Sequence, residues 1–388
     1  MLKKVENNLQ ARYWRWDTRK EIPTYQRELI EIAAQIPTSK IFIFPPGLAW
    51  RDSMIQRPQH IAKALSDAGN LVFYVEPETS KDFEGLNQLT DNFILCHVPM
   101  QTFNVFHNPF VMTMTWNYPF ALQIPQARLI YDFLDHLQVF SGNQRKLSKQ
   151  HNLLLKSAAI VLATSPELYE QVKLVRPDVV LCPNAVDYDH FSVSDSEYLE
   201  PPADISPLLL PNSPIIGYIG ALARWIDFEL IEKVAKLRPG INFLLIGPDH
   251  ENALPPRLLR NPNIFWIGSK SYNDIPIYLI YVDAAIIPFL VNEITHAVSP
   301  LKLFEYMAAG KPVIVTPMKG SKDYPGVLCA KTSQEFSSQI DEALQLKSDN
   351  DYIRKIRKVA SENTWEVRVN QIMRVVEEYM GSALTNNQ

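Results

Sequence analysis

An α/β chain of two parallel-sheet domains is predicted from three features of the sequence. Short β-branched and aromatic runs alternate with amphipathic segments from residue 40 to residue 316, the pattern of parallel strands with helices on both faces. The pattern runs twice, on either side of a stretch holding Pro201, Pro202, Pro207, Pro211 and Pro214. The 388 residues also exceed the roughly 250–300 at which a single core stops growing. The divisions expected are an extension at 1–39, a first domain at 40–191, a linker at 192–214, a second domain at 215–364 and a last helix at 365–388.

In the first 20 residues of the extension, Lys3, Lys4, Arg12, Arg15, Arg19 and Lys20 stand against Glu6 and Asp17 and are interleaved with Tyr13, Trp14 and Trp16. Basic residues with interfacial aromatics suit peripheral contact with a membrane surface; a helical extension packed on its own domain is the alternative. An amphipathic helix follows at Tyr25–Ala34.

The first domain opens with strand Ile41–Phe44 and the loop PPGLAWRD, where Gly47 permits close backbone approach. A helix at Gln56–Asp67 and a strand at Leu71–Val75 come next, with Arg57 and His60 at the helix start, where polar residues either face a cleft or cap. Strand Arg128–Leu134 ends in Asp135 and His136, at the carboxyl edge where a catalytic group would lie. Asp135 is the first candidate acid; Asp132, on the opposite face by strand alternation, is the second. No G-x-S-x-G elbow accompanies the Asp–His pair, which argues against a hydrolase triad. Strand Ile160–Thr164, a helix begun by Ser165 and Pro166, and strand Val179–Leu181 complete this half.

The second domain repeats the scheme: strand Ile215–Ile219, a helix from Phe228, strands Phe243–Gly247 and Ile264–Ile267, helix Asn273–Tyr281 and strand Ala284–Phe289. Then comes SPLKLFEYMAAGKPVIVT, Ser299 to Thr316. Ser299 is read as N-cap and Pro300 as the first helical residue; Gly310 ends the helix and Pro312 prevents its resumption. Lys302 in the first turn opposes the helix dipole at a cost of roughly 0.3–1 kcal/mol unless an anion compensates it. Glu305 lies on the same face and can accept from ribose hydroxyls, whereas a solvated Lys–Glu pair would need no ligand.

Composition narrows the function. A content of 46% apolar and 21% charged residues fits a folded enzyme, and a net charge of −4 gives no reason to expect nucleic acid as a partner. Cys96, Cys182 and Cys329 are isolated, which suggests neither a disulfide frame nor a zinc site and points to a reducing cytoplasm. No signal-peptide layout is evident, and the apolar run Ile275–Val291 is broken by Pro276, Asp283 and Pro288. Neither G-x-G-x-x-G nor a Walker loop occurs.

SPLKLFEYMAAGKPVI resembles the donor-site helix of GT-B glycosyltransferases of group 1 (family 4), in the subgroup with S-P-L-K upstream of the glutamate. More thinly, the resemblance covers most of the chain after residue 40, including QRPQH and the P-N-G-V-D-like segment PNAVDYDHF at Pro183–Phe191, where Ala185 replaces the glycine. It implies two Rossmann-like parallel-sheet domains facing across a cleft, the first for acceptor and the second for a nucleotide-sugar donor, with the last helix crossing back to the first. The donor is a co-substrate, UDP-linked by this reading, and no other cofactor or metal is implied. Glu305 would contact the ribose; Ser299, Pro300, Leu301 and Lys302 would hold the diphosphate; and the loop from Gly268 to Tyr272 would border the base.

Two departures stand out. The commoner pattern has a glutamate where this chain has Ala297, so His296 or Thr295 is expected to supply the sugar contact. After Gly220 the usual Arg and Lys are missing from GALARWID, which leaves Arg224 as the phosphate cation. Gly47, Arg57, Asp132 and His136 are assigned to the acceptor cleft, and Asp135 and His296 to catalysis.

The expected reaction is transfer of a sugar to a glycan or lipid-linked acceptor in polysaccharide or glycolipid biosynthesis, with retention of anomeric configuration. It would take place in the cytoplasm or at the membrane periphery. A general base at Asp135 would instead imply inversion. A sugar-nucleotide epimerase of the same fold and a non-catalytic glycan-binding or scaffold protein are the competing readings.

Overall fold

The computed structural model describes residues 21–37, 40–51, 54–80, 82–140, 142–192 and 200–385. The basic aromatic segment at 1–20 lies outside the described residues. The chain forms two compact units, one ending at Pro183 and regaining the chain at Trp365, the other running from Asn184 to Thr364.

The first unit is built on eight strands: β1 Ile41–Phe44, β2 Leu71–Val75, β3 Gly85–Thr90, β4 Phe93–His97, β5 Phe110–Thr113, β6 Arg128–Phe133, β7 Ile160–Ala163 and β8 Val180–Leu181. Their order is β3-β4-β2-β1-β5-β6-β7-β8. All pairings are parallel, as expected, except β3 with β4, an antiparallel pair at one edge. β4 and β5 are apolar and buried, whereas β3 ends in exposed residues, as an antiparallel edge strand can. The order reverses between β1 and β5.

Helix Arg57–Asp67 buries its apolar face on this sheet, and Gln56 begins it with a capping box to Gln59. Helix Trp365–Thr385 packs on it: the His60 ring stacks on Trp365 at 4.8 Å, and Arg368 Nε donates to Pro183 O at 3.0 Å.

The second unit has six strands: β9 Ile215–Ile219, β10 Asn242–Ile246, β11 Ile264–Trp266, β12 Ala284–Ile287, β13 Val313–Val315 and β14 Leu328–Cys329. They are all parallel, in the order β11-β10-β9-β12-β13-β14. Here the order reverses between β9 and β12, and ligands of open parallel sheets bind outside the carboxyl ends at such a reversal.

Two segments behave otherwise than expected. The division between units falls after Pro183, so 184–191 belongs with the second unit. Residues 200–214 of the expected linker also pack there: Ile205 and Leu208 join its core, and Asp204 accepts from Tyr278 Oη at 3.1 Å and pairs with Lys270 at 2.6 Å. Apolar residues between the prolines give this stretch something to bury.

Candidate functional site

The reversal point of the second unit is built around one lysine. β9 ends at Ile219, and the next residue, Gly220, has φ +147°. A Cβ there would stand 2.8 Å from Lys302 Cε and 3.2 Å from its Nζ, so only glycine leaves room for the lysine. Gly247, at the end of β10, is as constrained, since its Cβ would fall 2.0 Å from Gly220 O. Lys302 Nζ lies 5.3 Å from the Phe289 ring centre and 5.7 Å from that of Tyr218, at the ends of β12 and β9. Neither aromatic is a site candidate in the sequence reading, where both belong to strands, Tyr218 within Ile215–Ile219 and Phe289 at the end of Ala284–Phe289.

Helix Leu301–Ala308 carries this lysine. Tyr306 anchors it to β9, its hydroxyl accepting from Ile219 N at 2.8 Å and donating to Ile219 O at 3.2 Å. Pro300, not Ser299, is the N-cap residue, and no side chain caps the helix. Ser299 is engaged with Asn184 instead: its Oγ accepts from Asn184 N at 3.1 Å, and its carbonyl accepts from Asn184 Nδ2 at 2.6 Å. That correction leaves the first-turn amides of Leu301 and Lys302 without a capping oxygen among the described residues. The far end closes as expected, Gly310 at φ +73° with Gly310 N donating to Met307 O and Lys311 N to Tyr306 O.

Around Lys302 the charges are poorly solvated. Desolvation pushes its ammonium below the ordinary lysine range, and Glu305 counteracts this in part. Burial raises the Glu305 carboxyl to about 7, against the opposing pull of Lys302. Among the described residues, no hydrogen bond or ion pair reaches Lys302 Nζ. Tyr272 lies close enough for Glu305 and Asp187 to add to the burial that raises its phenol. Its ring stacks on His190 at 4.4 Å, with His190 Nε2 3.0 Å from Tyr272 O.

The remaining residues expected at the donor site are placed as follows. Gly268 has φ +71°, and its carbonyl accepts from Gly247 N at 2.8 Å. His296 closes the short helix Glu293–His296, and its Nδ1 accepts from Lys319 N at 3.4 Å, while Ala297 is buried. Arg224 is exposed and stands near His250, whose pKa is lowered by desolvation and further by the Arg224 charge. The groups packed around Lys302 are Tyr218, Phe289, Gly220 and Glu305.

In the first unit the candidates separate into two sets. Arg57 and Asp132 are buried and bound to each other, and Arg57 Nη1 also donates to Pro183 O at 3.0 Å. Asp135, just past β6, is raised to about 7, chiefly by burial and then by the Asp132 charge. His136 caps the following turn, its Nδ1 accepting from Gln138 N at 3.3 Å. Gly47 shows no close approach: the nearest atoms to a Cβ there, on Asn117 and Trp116, would be 3.7 Å away. Among the described residues no helix is long and apolar enough to cross a membrane, and no three His, Cys, Asp or Glu side chains group as metal ligands.

Residues 213–346 match the family model described as "Glycosyl transferases group 1". TuaH of Bacillus subtilis, provisionally described as a teichuronic acid biosynthesis glycosyltransferase, is 30% identical over 267 residues, covering 64% of this chain and 66% of TuaH. Among solved structures, sucrose-phosphate synthase of Thermosynechococcus elongatus aligns with TM-score 0.64 and 16% identity over 89% of this chain and 100% of that one. HepE of Anabaena, in complex with UDP and glucose, aligns with TM-score 0.63 and 17% identity over 88% and 99%. At such identities the structures speak for the fold alone, two Rossmann-like units of the GT-B class. Within that fold, residues 213–346, which include the Lys302 helix, are the part similar to the group 1 model.

Proposed function

We propose that this protein is a glycosyltransferase that moves a sugar from a UDP-linked donor to a hydroxyl of a glycan or lipid-linked acceptor. The observation that carries this reading is Lys302: a desolvated ammonium at an uncapped helix start, at the reversal point of a parallel sheet, held between two aromatic rings and a glycine. A diphosphate supplies what the site lacks, an anion for the ammonium and acceptors for the first-turn amides. The group 1 match supports sugar transfer, and the UDP-bound state of HepE supports the choice of donor.

In this mechanism the bond from the anomeric carbon to the diphosphate breaks and one to the acceptor oxygen forms. Negative charge grows on the leaving diphosphate as the sugar becomes oxocarbenium-like, and Lys302 with the helix start neutralises it. Retention follows if the acceptor proton passes to the leaving phosphate oxygen. Glu305 accepts from the ribose, Tyr272 borders the base, and His296 Nε2 serves the sugar, its Nδ1 being taken by Lys319 N. Asp135 acts on the acceptor.

The test is incubation with UDP-glucose and other UDP-sugars, with and without glycan and polyprenyl-linked acceptors, following UDP by coupled assay and the sugar by NMR. Acceptor-dependent UDP release with a new glycosidic linkage is expected. An epimerised donor, or no nucleotide binding at all, would overturn the proposal.

A further inference from the structure

Helix Gln144–Ser157 turns a uniformly cationic face to solvent. It carries Arg145, Lys146, Lys149 and Lys156 and has no acidic residue. Leu147, Gln150, Leu154 and Leu155 hold its other face in the unit, and all four cations are exposed. Arg145, Lys149 and Lys156 recur at i, i+4 and i+11 and therefore line one crest. Among the described residues none of the four is in an ion pair, whereas other helices of this chain pair their lysines one turn away, as in Lys63–Asp67, Lys233–Glu229 and Lys236–Glu232. On a chain of net charge −4, such a stripe is a local reversal of sign.

Apolar residues accompany it. Leu153 on the same helix is 42% exposed, and Leu174 and Val175 are 85% and 66% exposed, the two highest values among the large hydrophobic residues of the described chain. Arg176 fixes the turn bearing them beside the end of the helix, Nη1 donating to Leu155 O at 2.8 Å and Ala158 O at 3.0 Å. Cations alone would suit any polyanion. Protruding leucine and valine beside them gain from an interface that is anionic outside and hydrocarbon within.

We infer that the Arg145–Lys149–Lys156 crest, with Leu153, Leu174 and Val175, is a docking surface for an anionic lipid bilayer. The adsorption is peripheral and reversible: cations sit in the negative surface potential, and three short apolar side chains enter the headgroup boundary.

The test is sedimentation of the full chain with vesicles of phosphatidylglycerol and phosphatidylcholine, and with phosphatidylcholine alone, across a salt series. Binding is expected only to the anionic vesicles and should weaken with salt. Each cation near such a surface is worth about five-fold in partition, so R145E/K149E/K156E should lose on the order of 100-fold or more with an unchanged melting curve. L174S/V175S should lose less and keep the salt dependence. Binding by the triple variant equal to wild type, equal binding to neutral vesicles, or loss only on removing residues 1–20 would each overturn the inference. So would binding to RNA or heparin with none to anionic vesicles.

Discussion

Arg57 donates from Nε and Nη2 to the two carboxylate oxygens of Asp132, at 2.8 and 3.0 Å, and both side chains are buried. With Pro183 O on Nη1 and the Trp365 ring 6.0 Å away, the guanidinium ties β6, helix Arg57–Asp67 and the returning helix together. Breaking such a pair leaves an uncompensated buried charge, so Asp132→Asn or Arg57→Met should cost about 3–5 kcal/mol. Urea unfolding followed by tryptophan fluorescence would measure it. Donor affinity should survive in conditions where the variants remain folded; full stability with lost turnover would make Asp132 the reacting acid instead.

Asp135 is expected to behave differently. Its carboxyl is raised from its ordinary 3.8 to about 7, so the folded state holds the proton more tightly than the unfolded chain. The stability this gives is full below about pH 4 and is lost as pH rises through about 7. Asp135→Asn should therefore melt with wild type at pH 4 and above it at pH 8. In turnover it should lose at least ~100-fold with donor affinity nearly unchanged. Near-normal turnover would make Asp135 structural and move attention to His136.

Gly220→Ala tests the cradle. The added methyl meets Lys302 Cε at 2.8 Å in a backbone conformation that L side chains rarely adopt, so the lysine must move. Nucleotide affinity should fall at least ~10-fold, the scale of one charge-assisted hydrogen bond. Gly240→Ala, with nothing within 4 Å of its Cβ, is the matched control and should bind as wild type.

Glu305 carries the pH dependence of donor binding. Because its carboxyl is raised to about 7, it accepts fully from ribose hydroxyls only above that pH, and UDP-glucose affinity should climb between pH 6 and pH 8. Glu305→Gln should flatten the climb and weaken UDP-glucose more than its 2′,3′-dideoxy analogue. Equal losses for the two ligands would remove Glu305 from the ribose.

Much of this architecture is legible in the residues, for physical reasons. Ile41–Phe44, Leu71–Val75 and Ile215–Ile219 are strands with the expected bounds, because each is an unbroken apolar run between polar turns. Ser165 and Gly310 mark helix ends because their chemistry is local. The three strands between Val75 and Arg128 go unread: β3 is too polar to signal burial, and among the described residues no α-helix separates β2 from β5, so the alternation of strand and helix that marks the others is missing there.

At the site, the spacing of Lys302 and Glu305 is a helical regularity, visible in one dimension. What surrounds them is not: Tyr218, Gly220 and Phe289 come from strands that only the 9-12 pairing brings together. Ser299 misleads for the same reason, since its partner Asn184 lies 115 residues away.

The central claim is that Lys302 waits for a diphosphate, and titration calorimetry of UDP and UDP-glucose against wild type and Lys302→Ala tests it most directly. The loss expected is about 10- to 100-fold in affinity for both ligands, the range for a charge-assisted hydrogen bond of 1.5–3 kcal/mol, with uridine itself, which has no phosphate, binding the two proteins alike. Equal affinity of wild type and variant for UDP would contradict the account.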